Sequence, residues 1–328
     1  MKRMPNMKWF YALGLVGLLS GCDKQSPVSA GAKATGKKFY WVQPMKGHPV
    51  HQMTQIGFGE GCKKLGYQYE IIGTDSSDVA GTIALAEQAL AKGDAAGIAI
   101  WTGSPSWNPF IEKVGKTGLQ IILPHFPVPE GSVPGATGII SCDPAAYATE
   151  AAREIGKAIG GKGSVAITQG SFNTTENMVS ESFAKAMKDL YPTVKVLASE
   201  EEGFDAPKAI SKAVSILQAH PEVAAALSTT GGGATTWAGA QREAGRKIIA
   251  VGMDYTRVNL DLVKDGAVYA VIGQPLWEES YGAAELLAKA VRGEKIPWWT
   301  KLPAPFITKN NLKPYLELLD KVEAAIKR

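Results

Sequence analysis

From residue 38 onward, short apolar runs alternate along the chain with longer segments in which apolar residues recur every three or four positions. The short runs predict β-strands, and the longer segments predict amphipathic α-helices. The predicted strands are residues 39–42, 67–72, 97–101, 119–123, 138–141, 164–168, 194–198, 223–227, 248–251 and 268–272. The predicted helices are residues 52–65, 79–92, 109–116, 145–159, 176–190, 206–219, 234–244, 258–264 and 277–291. Strands that alternate with helices predict an α/β fold with right-handed crossovers and parallel sheets.

The strand–helix pattern restarts near residue 145, which predicts two similar α/β halves. No proline-rich or low-complexity segment separates the halves in the sequence, and this favours a chain that passes directly from one lobe to the other through a hinge. Open parallel sheets bind their ligands at the carboxyl ends of the strands. The loops that follow the strands are therefore the place where a binding site is expected.

The first part of the chain has the pattern of a secretory signal. Lys2, Arg3 and Lys8 supply positive charge around the start of an apolar run at 9–19, which is too short to span a bilayer. The run ends in Leu-Ser-Gly-Cys, with Cys22 last, and this tetrad resembles the site at which bacterial lipoproteins are cleaved and acylated. We expect a lipoprotein signal peptide that ends at Cys22, with an ordinary signal peptide as the alternative.

Composition and charge narrow the functional classes. Residues 23–36 are rich in Ser, Gly, Ala and Lys and predict a flexible tether. The formal net charge is +4 at pH 7 with acidic and basic residues interspersed, so no basic stripe points to a nucleic-acid partner. After the signal segment, the sequence contains no apolar run of about eighteen residues that would predict a membrane span.

Two further cysteines follow Cys22. Cys62 lies in a predicted helix and Cys142 directly after a predicted strand. A disulfide between them is chemically allowed outside the cytoplasm, but a free cysteine packs as a small apolar side chain, and we favour two buried thiols. The sequence has no Cys-x-x-Cys pair, so it supports neither a zinc site nor a redox motif.

Several short segments resemble the type I periplasmic binding proteins, especially their ribose-, galactose- and autoinducer-binding branch. The segments follow one another in the order and spacing of that family, from about residue 38 to about residue 309. They are a helix that ends in Lys-Leu-Gly-Tyr at 57–67, Ile-Ser-Cys-Asp at 140–143, Ala-His-Pro-Glu-Val at 219–223, Val-Gly-Met-Asp at 251–254 and Ile-Gly-Gln-Pro at 272–275.

The resemblance implies two Rossmann-like lobes with parallel sheets, joined by a three-crossover hinge. The crossovers are expected near 141–145, 274 and 302–305. The expected division is a signal peptide at 1–22, a tether at 23–36, an N-terminal lobe at 37–141 plus 276–302, and a C-terminal lobe with tail at 144–273 plus 304–328. A ligand in the cleft would be enclosed when the hinge closes.

Most of the candidate site residues follow from the family's ligand contacts, position by position, whereas Trp101 follows from its place at the end of a predicted strand. His48 and His51 stand in a loop where the family has Asn-Pro-Phe-Phe. His125 and Phe126 stand where it has an Asp-Arg pair, and Asp254 keeps the family's strand-end acid. The candidate ligand-binding residues are His48, His51, Trp101, His125, Phe126, Asn177, Phe204, Thr230, Asp254 and Gln274.

Some candidates have a simpler alternative. The three cleft histidines could ligate zinc, but their spacing fits no known ligand motif, and they could also face solvent. We therefore predict no metal site. Asp254 could cap the helix that follows it instead of binding a ligand. His220, the remaining histidine, is expected to lie at a helix end.

Tryptophans and glycines near the predicted loops also allow more than one interpretation. Trp107, Trp237 and Trp277 are candidates to wall the pocket, with core packing as the alternative. The spaced glycines at 57–61 lie inside a predicted helix, so they do not form a dinucleotide-binding loop. The three glycines at 231–233 open a predicted helix after a strand and are expected to let the chain approach a ligand closely.

Together these features predict a binding protein and not an enzyme. We expect the solute-binding component of an ABC importer, a monomer that captures a neutral sugar or polyol, needs no cofactor and contacts a membrane permease. A lipid anchor at Cys22 would hold it in the periplasm or at another extracytoplasmic membrane face. The alternatives are a ligand-sensing subunit for a chemoreceptor or membrane kinase, and a secreted α/β enzyme, for which the loops offer no nucleophile–base pair.

Overall fold

The computed structural model describes residues 38–47 and 49–327. Cys22, the tether at 23–36 and the candidate ligand-binding residue His48 lie outside the described residues. None of the helices formed by the described residues combines the length and the apolar character that a membrane span needs.

Strands and helices alternate along most of the described chain. In chain order the strands are Lys38–Val42 (β1), Gln68–Ile72 (β2), Ala95–Ile100 (β3), Gln120–Pro124 (β4), Gly138–Cys142 (β5), Ser164–Gln169 (β6), Lys195–Val196 (β7), Glu200–Glu201 (β8), Val223–Ser228 (β9), Ile249–Met253 (β10), Ala270–Ile272 (β11), Trp299–Leu302 (β12) and Phe306–Thr308 (β13). The helices are Pro49–Leu65 (α1), Val79–Leu90 (α2), Asn108–Gly115 (α3), Pro144–Ala158 (α4), Thr174–Leu190 (α5), Ala206–Ala219 (α6), Gly233–Ala244 (α7), Arg257–Lys264 (α8), Leu276–Val291 (α9) and Lys313–Ile326 (α10).

The first sheet contains six strands in the order β12-β5-β4-β3-β1-β2, and every neighbouring pair is parallel. Strand β1 shows why residues 39–42 form an uninterrupted apolar run. Phe39 and Trp41 pack into one buried cluster, whereas Tyr40 and Val42 pack into another. Alternate side chains of a strand point to opposite faces, so a sheet covered by helices on both faces needs apolar residues at every position.

The second sheet has the order β13-β11-β10-β9-β6-β7, and β8 also pairs with β6. All of its pairs are parallel except that β13 runs antiparallel to β11. The two sheets with their covering helices form two lobes, which confirms the α/β fold class predicted from the alternation of strands and helices.

The chain crosses between the sheets three times. It leaves the first sheet after Cys142, returns from the second sheet between Ile272 and Leu276, and crosses again between Leu302 and Phe306. These crossings fall where the family resemblance places the hinge. The first and third are joined side by side, because the Trp299 indole N–H donates to the Ser141 hydroxyl at 3.0 Å. Whether the lobes move about these crossings stays a prediction.

One predicted strand is only partly present. The sequence predicts a strand at 194–198, but residues 195–196 alone form β7, and the two-residue strand β8 pairs with the other end of β6. The physical reason is the edge position: an edge strand has one neighbour, so its chain can leave the sheet after a few residues and rejoin it further along.

The C-terminal region contains more structure than the sequence pattern predicts. The sequence pattern predicts no helix or strand after residue 291, yet the residues beyond it form β12, β13 and α10. Helix α10 is held by Arg257, which donates to Asp320 at 2.5 Å and to Glu323 at 2.9 Å. Its Tyr315 ring also lies 5.6 Å from that of Tyr255. Both strands are too short to show a periodic pattern by themselves.

Both cysteines of the fold are buried free thiols, which confirms the interpretation of small apolar core residues. Burial raises the pKa of the Cys62 thiol to about 12. Burial, reinforced by the charge of Glu279, also raises the pKa of Cys142 above its usual range. A thiolate is the reactive form of cysteine, so neither residue is suited to nucleophilic chemistry.

Candidate ligand-binding site

An aromatic cluster lies at the carboxyl edge of the first sheet. Trp101 follows β3, and His125 and Phe126 follow β4. The Trp101 and His125 rings are stacked at 4.4 Å with an angle of 12° between them. Phe126 lies edge-on to both, 6.1 Å from Trp101 and 4.7 Å from His125. The structure thus brings together three residues that the sequence places after different strands.

His51 joins this cluster from the first turn of α1. Its ring lies 5.6 Å from that of Trp101. Its Nδ1 lies 2.8 Å from the carbonyl oxygen of Pro44, and since a carbonyl can only accept, this nitrogen carries the proton. His51 was expected in a loop, but α1 begins at Pro49, so the helix fixes the His51 backbone. The loop before the helix fixes its ring through the Pro44 carbonyl oxygen.

Behind the aromatic cluster, His125 is bound to a carboxylate that the sequence does not single out. The Nδ1 of His125 lies 3.0 Å from Oε2 of Glu279, whose side chain is 0% exposed. The other oxygen of Glu279 accepts from the backbone N–H of Cys142 at 3.2 Å. Burial opposes the charged imidazole, but the charge of Glu279 and the hydrogen bond to it outweigh burial and raise the pKa of His125 above its usual value.

A signal for Glu279 was present in the sequence. Helix α9 buries Leu276, Glu279, Ser280 and Ala283, which recur at the three- and four-residue spacing of one helical face. A carboxylate on an otherwise apolar face must find a partner, because an unpaired buried charge is costly. The position of Glu279 on this face therefore predicts a buried partner, although not which one.

Asp254 lies at the carboxyl end of β10 in the other lobe. Its side chain is only 8% exposed, and its Oδ1 has no hydrogen-bond partner in the described structure. Burial raises its pKa from 3.8 to about 6, against the opposing charge of His125 and with the like charge of Glu279. The charges of Asp254 and His125 thus act on each other across the two lobes.

The alternative role of Asp254 as a helix cap is wrong. The residue that caps α8 is Thr256, whose hydroxyl accepts from the backbone N–H of Asn259. Asp254 is instead held in place by the Asn259 side-chain amide, which donates to the carbonyl oxygens of Met253, Asp254 and Gly231 at 2.8, 3.1 and 2.9 Å. The sequence did not single out Asn259, because its contacts are formed only when the loops after β9 and β10 meet.

Two of the site residues adopt a left-handed backbone conformation. His125 has φ 78° and Asp254 has φ 69°, and neither is glycine. Such residues are uncommon and persist only where surrounding contacts impose the conformation, often at functional sites. Here the imposing contacts are those of Glu279 with His125 and of Asn259 with the Asp254 backbone.

Residues 39–295 match the family described as periplasmic binding protein domain. The chain belongs to this family. Its structure is similar to an arabinose-binding protein from Geobacillus stearothermophilus, with TM-score 0.77, 22% identity, and coverage of 85% of this chain and 99% of that one. It is also similar to an ABC transporter solute-binding protein from Actinobacillus succinogenes solved with D-allose. The TM-score is 0.76 and the identity 21%, with coverage of 85% of this chain and 100% of that one. A third similar structure is an ABC transporter solute-binding protein from Bacillus halodurans, solved with myo-inositol. Its TM-score is 0.74 and its identity 17%, with coverage of 88% of this chain and 100% of that one.

At these identities the solved structures establish the fold of this periplasmic binding protein, and the family match establishes its class. The fold expectation drawn from the resemblance is therefore confirmed. The family also implies that the protein works outside the cytoplasm.

The second lobe of this periplasmic binding protein gathers only part of the predicted set. Phe204 is 76% exposed, and its ring lies beside Gly170 and near Thr230, because a β-carbon on Gly170 would lie 2.5 Å from that ring. Gln274 lies in the second crossing and interacts with Tyr147, whose pKa is raised well above its usual range, mainly by burial.

Asn177 is not tied to the other candidates by any contact of the described residues. Its backbone N–H bonds to Asn173 within the first turn of α5. The neighbouring Glu176 turns inward instead, accepting from the Gly170 backbone at 2.6 Å and from the Thr229 hydroxyl at 2.7 Å. The sequence missed Glu176, which fastens the loop after β6 to the loop after β9.

The remaining tryptophans mostly pack in the lobes. Trp107 is 1% exposed within the core of the first lobe, and Trp237 is fully buried with its indole N–H on Thr168. For both, the core-packing alternative is correct. Trp277 stacks on Tyr281 at 4.8 Å within α9.

The glycines at 231–233 bring the chain close to its own site residues. A β-carbon on Gly231 would lie 2.6 Å from Oδ2 of Asp254. Glycine at this position therefore leaves room for the Asp254 carboxylate. Among residues 38–47 and 49–327, no group of three or more His, Cys, Asp and Glu side chains is arranged to hold a metal ion.

Proposed function

We propose that this protein is the solute-binding component of an ABC importer and captures a neutral sugar or polyol between its lobes. The observation that carries the proposal is the buried Oδ1 of Asp254, which lacks a partner at a strand end and interacts electrostatically with His125 of the opposite lobe. A buried carboxylate oxygen without a donor is costly. A ligand hydroxyl entering the cleft would supply the missing donor.

The chemistry of the candidate site supports a polyhydroxy ligand. Phe126, half-buried at the edge of the aromatic cluster, offers an apolar ring against which a sugar can pack. Trp101, which is 6% exposed and stacked on His125, backs this cluster. His125 and Asp254 offer polar groups, one from each lobe. The similar structures bind arabinose, D-allose and myo-inositol, which are neutral and rich in hydroxyls. We propose the same class here, with capture and not catalysis as the role.

The proposed binding residues are those predicted from the sequence, taken from both lobes. They are His48, His51, Trp101, His125, Phe126, Asn177, Phe204, Thr230, Asp254 and Gln274. We also propose the division into an N-terminal lobe at 37–141 plus 276–302 and a C-terminal lobe at 144–273 plus 304–328. The covering of the first sheet by α9, which follows the second crossing, supports this division.

The closing motion can be tested in solution. A panel of neutral sugars and polyols is first screened by thermal shift, because a ligand that binds only the folded state raises the melting temperature. With the strongest ligand at saturation, we expect X-ray scattering to show a smaller radius of gyration than without ligand. A melting temperature that rises while the radius of gyration stays unchanged would contradict hinge closure.

We also propose that Cys22 is acylated and anchors the protein at an extracytoplasmic membrane face. The Leu-Ser-Gly-Cys tetrad after an apolar run supports this proposal. We expect Cys22→Ser to abolish incorporation of labelled palmitate and to move the protein from the membrane to the soluble fraction, because the acyl chains hold it at the bilayer. Cys62→Ser is the matched control and should stay with the membrane. A Cys22→Ser protein that is still labelled would contradict the anchor.

A further inference from the structure

The imidazole of His125 is fixed on two sides. Its ring stacks on Trp101 at 4.4 Å, and its Nδ1 lies 3.0 Å from Glu279. Glu279 is itself fixed, because its second oxygen accepts from the backbone N–H of Cys142. The carboxylate and the imidazole therefore form a pair that is held by the protein's own contacts.

This pairing decides what His125 can offer a ligand. An ionised carboxylate only accepts hydrogen bonds, so the Nδ1 of His125 must carry the proton that it donates to Glu279. None of the residues that the structure describes hydrogen-bonds to the other ring nitrogen, Nε2. In the imidazolium form Nε2–H is a charged donor, whereas in the neutral form with Nδ1–H it is an acceptor.

The charged groups around His125 favour the imidazolium. Glu279 faces it from α9, and Asp254 faces it from the loop after β10. His51, from α1, has its ring 5.6 Å from that of Trp101. Around Glu279, the ionisable groups that interact with it include Cys142 and Tyr147 of the first crossing and α4. Burial keeps the pKa of both of these above their usual values, so they stay neutral and the carboxylates dominate.

We propose that Glu279 is a specificity-determining positioning residue, which holds His125 as an imidazolium whose Nε2–H is a fixed donor in the lobe opposite the Asp254 acceptor. This inference rests on the proposed solute-binding function. A donor from one lobe and an acceptor from the other match neighbouring hydroxyl groups, since each hydroxyl both donates and accepts. Glu279 thereby selects a ligand class although it does not touch the ligand.

The same arrangement discriminates against acids. Two carboxylates, those of Glu279 and Asp254, act on the one imidazolium of His125, so these three described groups together carry a net negative charge. A ligand carboxylate would meet this like charge in a desolvated cleft, which opposes binding. We expect a neutral sugar to bind at least about tenfold more tightly than the corresponding sugar acid.

The imidazole itself provides a test that needs no ligand. Nitrogen-15 NMR of the histidine rings in wild type should show Nδ1 protonated throughout, with His125 titrating above its ordinary value of about 6.5. His125 is then fully protonated at pH values below the ordinary histidine pKa. It loses its proton as pH rises through its own, raised pKa. The His125 signal is assigned by its absence from His125→Gln. Glu279→Gln should lower the His125 pKa, because it removes the paired charge.

Glu278→Gln is the matched control, because Glu278 precedes Glu279 in the same helix but accepts from Tyr255. It should leave the His125 titration unchanged. A wild-type His125 that titrates at or below its ordinary value, or with Nε2 as the protonated nitrogen of its neutral form, would overturn the proposal. The wild-type spectra decide this even if the Glu279 variant does not fold.

Calorimetry then tests the specificity, with arabinose, D-allose, galactose and myo-inositol as neutral probes and galacturonate and glucuronate as acidic ones. We expect Glu279→Gln to weaken the best neutral probe by at least about tenfold. Unchanged affinity, or an acid that binds wild type more tightly than every neutral probe, would overturn the proposal. Absence of binding by the whole panel would count against the proposed function instead, and the imidazole titration would still decide the state of His125.

Discussion

Asp254→Asn should give a protein that is more heat-stable without ligand and that binds its ligand more weakly. The carboxylate is buried, one of its oxygens has no partner, and burial raises its pKa from 3.8 to about 6. A shift of this size corresponds to at most about 3 kcal/mol of destabilisation at neutral pH. A neutral amide of the same shape removes the cost of burying charge.

The sign of this effect can be checked against pH. The folded-state pKa of Asp254 lies above the unfolded value, so the cost is absent where both states are protonated and grows as pH rises between the two values. It is fully present above about pH 6. The gain in melting temperature of Asp254→Asn should therefore be largest at neutral pH and vanish near pH 3.

The loss of binding is the second half of this prediction. A hydrogen bond to a charged group contributes about 2–3 kcal/mol, which corresponds to roughly 30- to 150-fold in affinity. Calorimetry with the ligand from the thermal-shift screen measures it for Asp254→Asn. Asp265→Asn, at an exposed position just after α8, is the matched control and should change neither property. Wild-type affinity together with an unchanged melting temperature for Asp254→Asn would contradict the assignment.

The part of the fold that could be predicted is the part governed by local pattern. Strand β1 reads correctly because both of its faces are buried, so every residue from Phe39 to Val42 is apolar. Edge strands such as β7 and the short strands β12 and β13 are held by neighbours distant in sequence, and their own residues carry little periodic signal. Their existence depends on the strands they pair with, which are β6 for β7, β5 for β12 and β11 for β13.

The residues of the candidate site also divide into those that local pattern predicts and those that depend on contacts distant in sequence. Trp101, His125 and Asp254 were predicted because the carboxyl ends of parallel strands meet at one edge of each sheet. Glu279 was missed because it reaches His125 from a helix 154 residues further along the chain, which returns to the first lobe only after the second crossing. Contacts of this kind are set by topology, and the sequence signals them only as a polar residue on an apolar helical face.

Helix α9 can take this position only because of glycine in α1. A β-carbon on Gly57 would lie 2.5 Å from the carbonyl oxygen of Trp277, and one on Gly61 would lie 2.9 Å from that of Tyr281. Both contacts are with backbone, which cannot move aside as a flexible side chain can. The spaced glycines that might be mistaken for a nucleotide loop therefore serve the close packing of two helices.

Gly57→Ala should therefore destabilise the protein, although alanine is the better helix former by about 1 kcal/mol. Forcing an extra carbon into a closely packed interface costs about 1–3 kcal/mol, and the larger Gly57→Val should cost more. Urea unfolding measures the loss as a lower midpoint at unchanged slope. Glu60→Ala, at an exposed position of the same helix, is the matched control and should leave the midpoint almost unchanged.

Gly57→Ala should also change the geometry of the binding site. Glu279 lies two residues from Trp277 on α9, so moving this helix away from α1 displaces the carboxylate that holds His125. We expect Gly57→Ala to weaken ligand binding as well as to lower stability, although Gly57 packs in the interface between α1 and α9 and is not a proposed binding residue. A Gly57→Ala protein as stable as Glu60→Ala would show that the two helices adjust freely, and the close packing would then not be what positions Glu279.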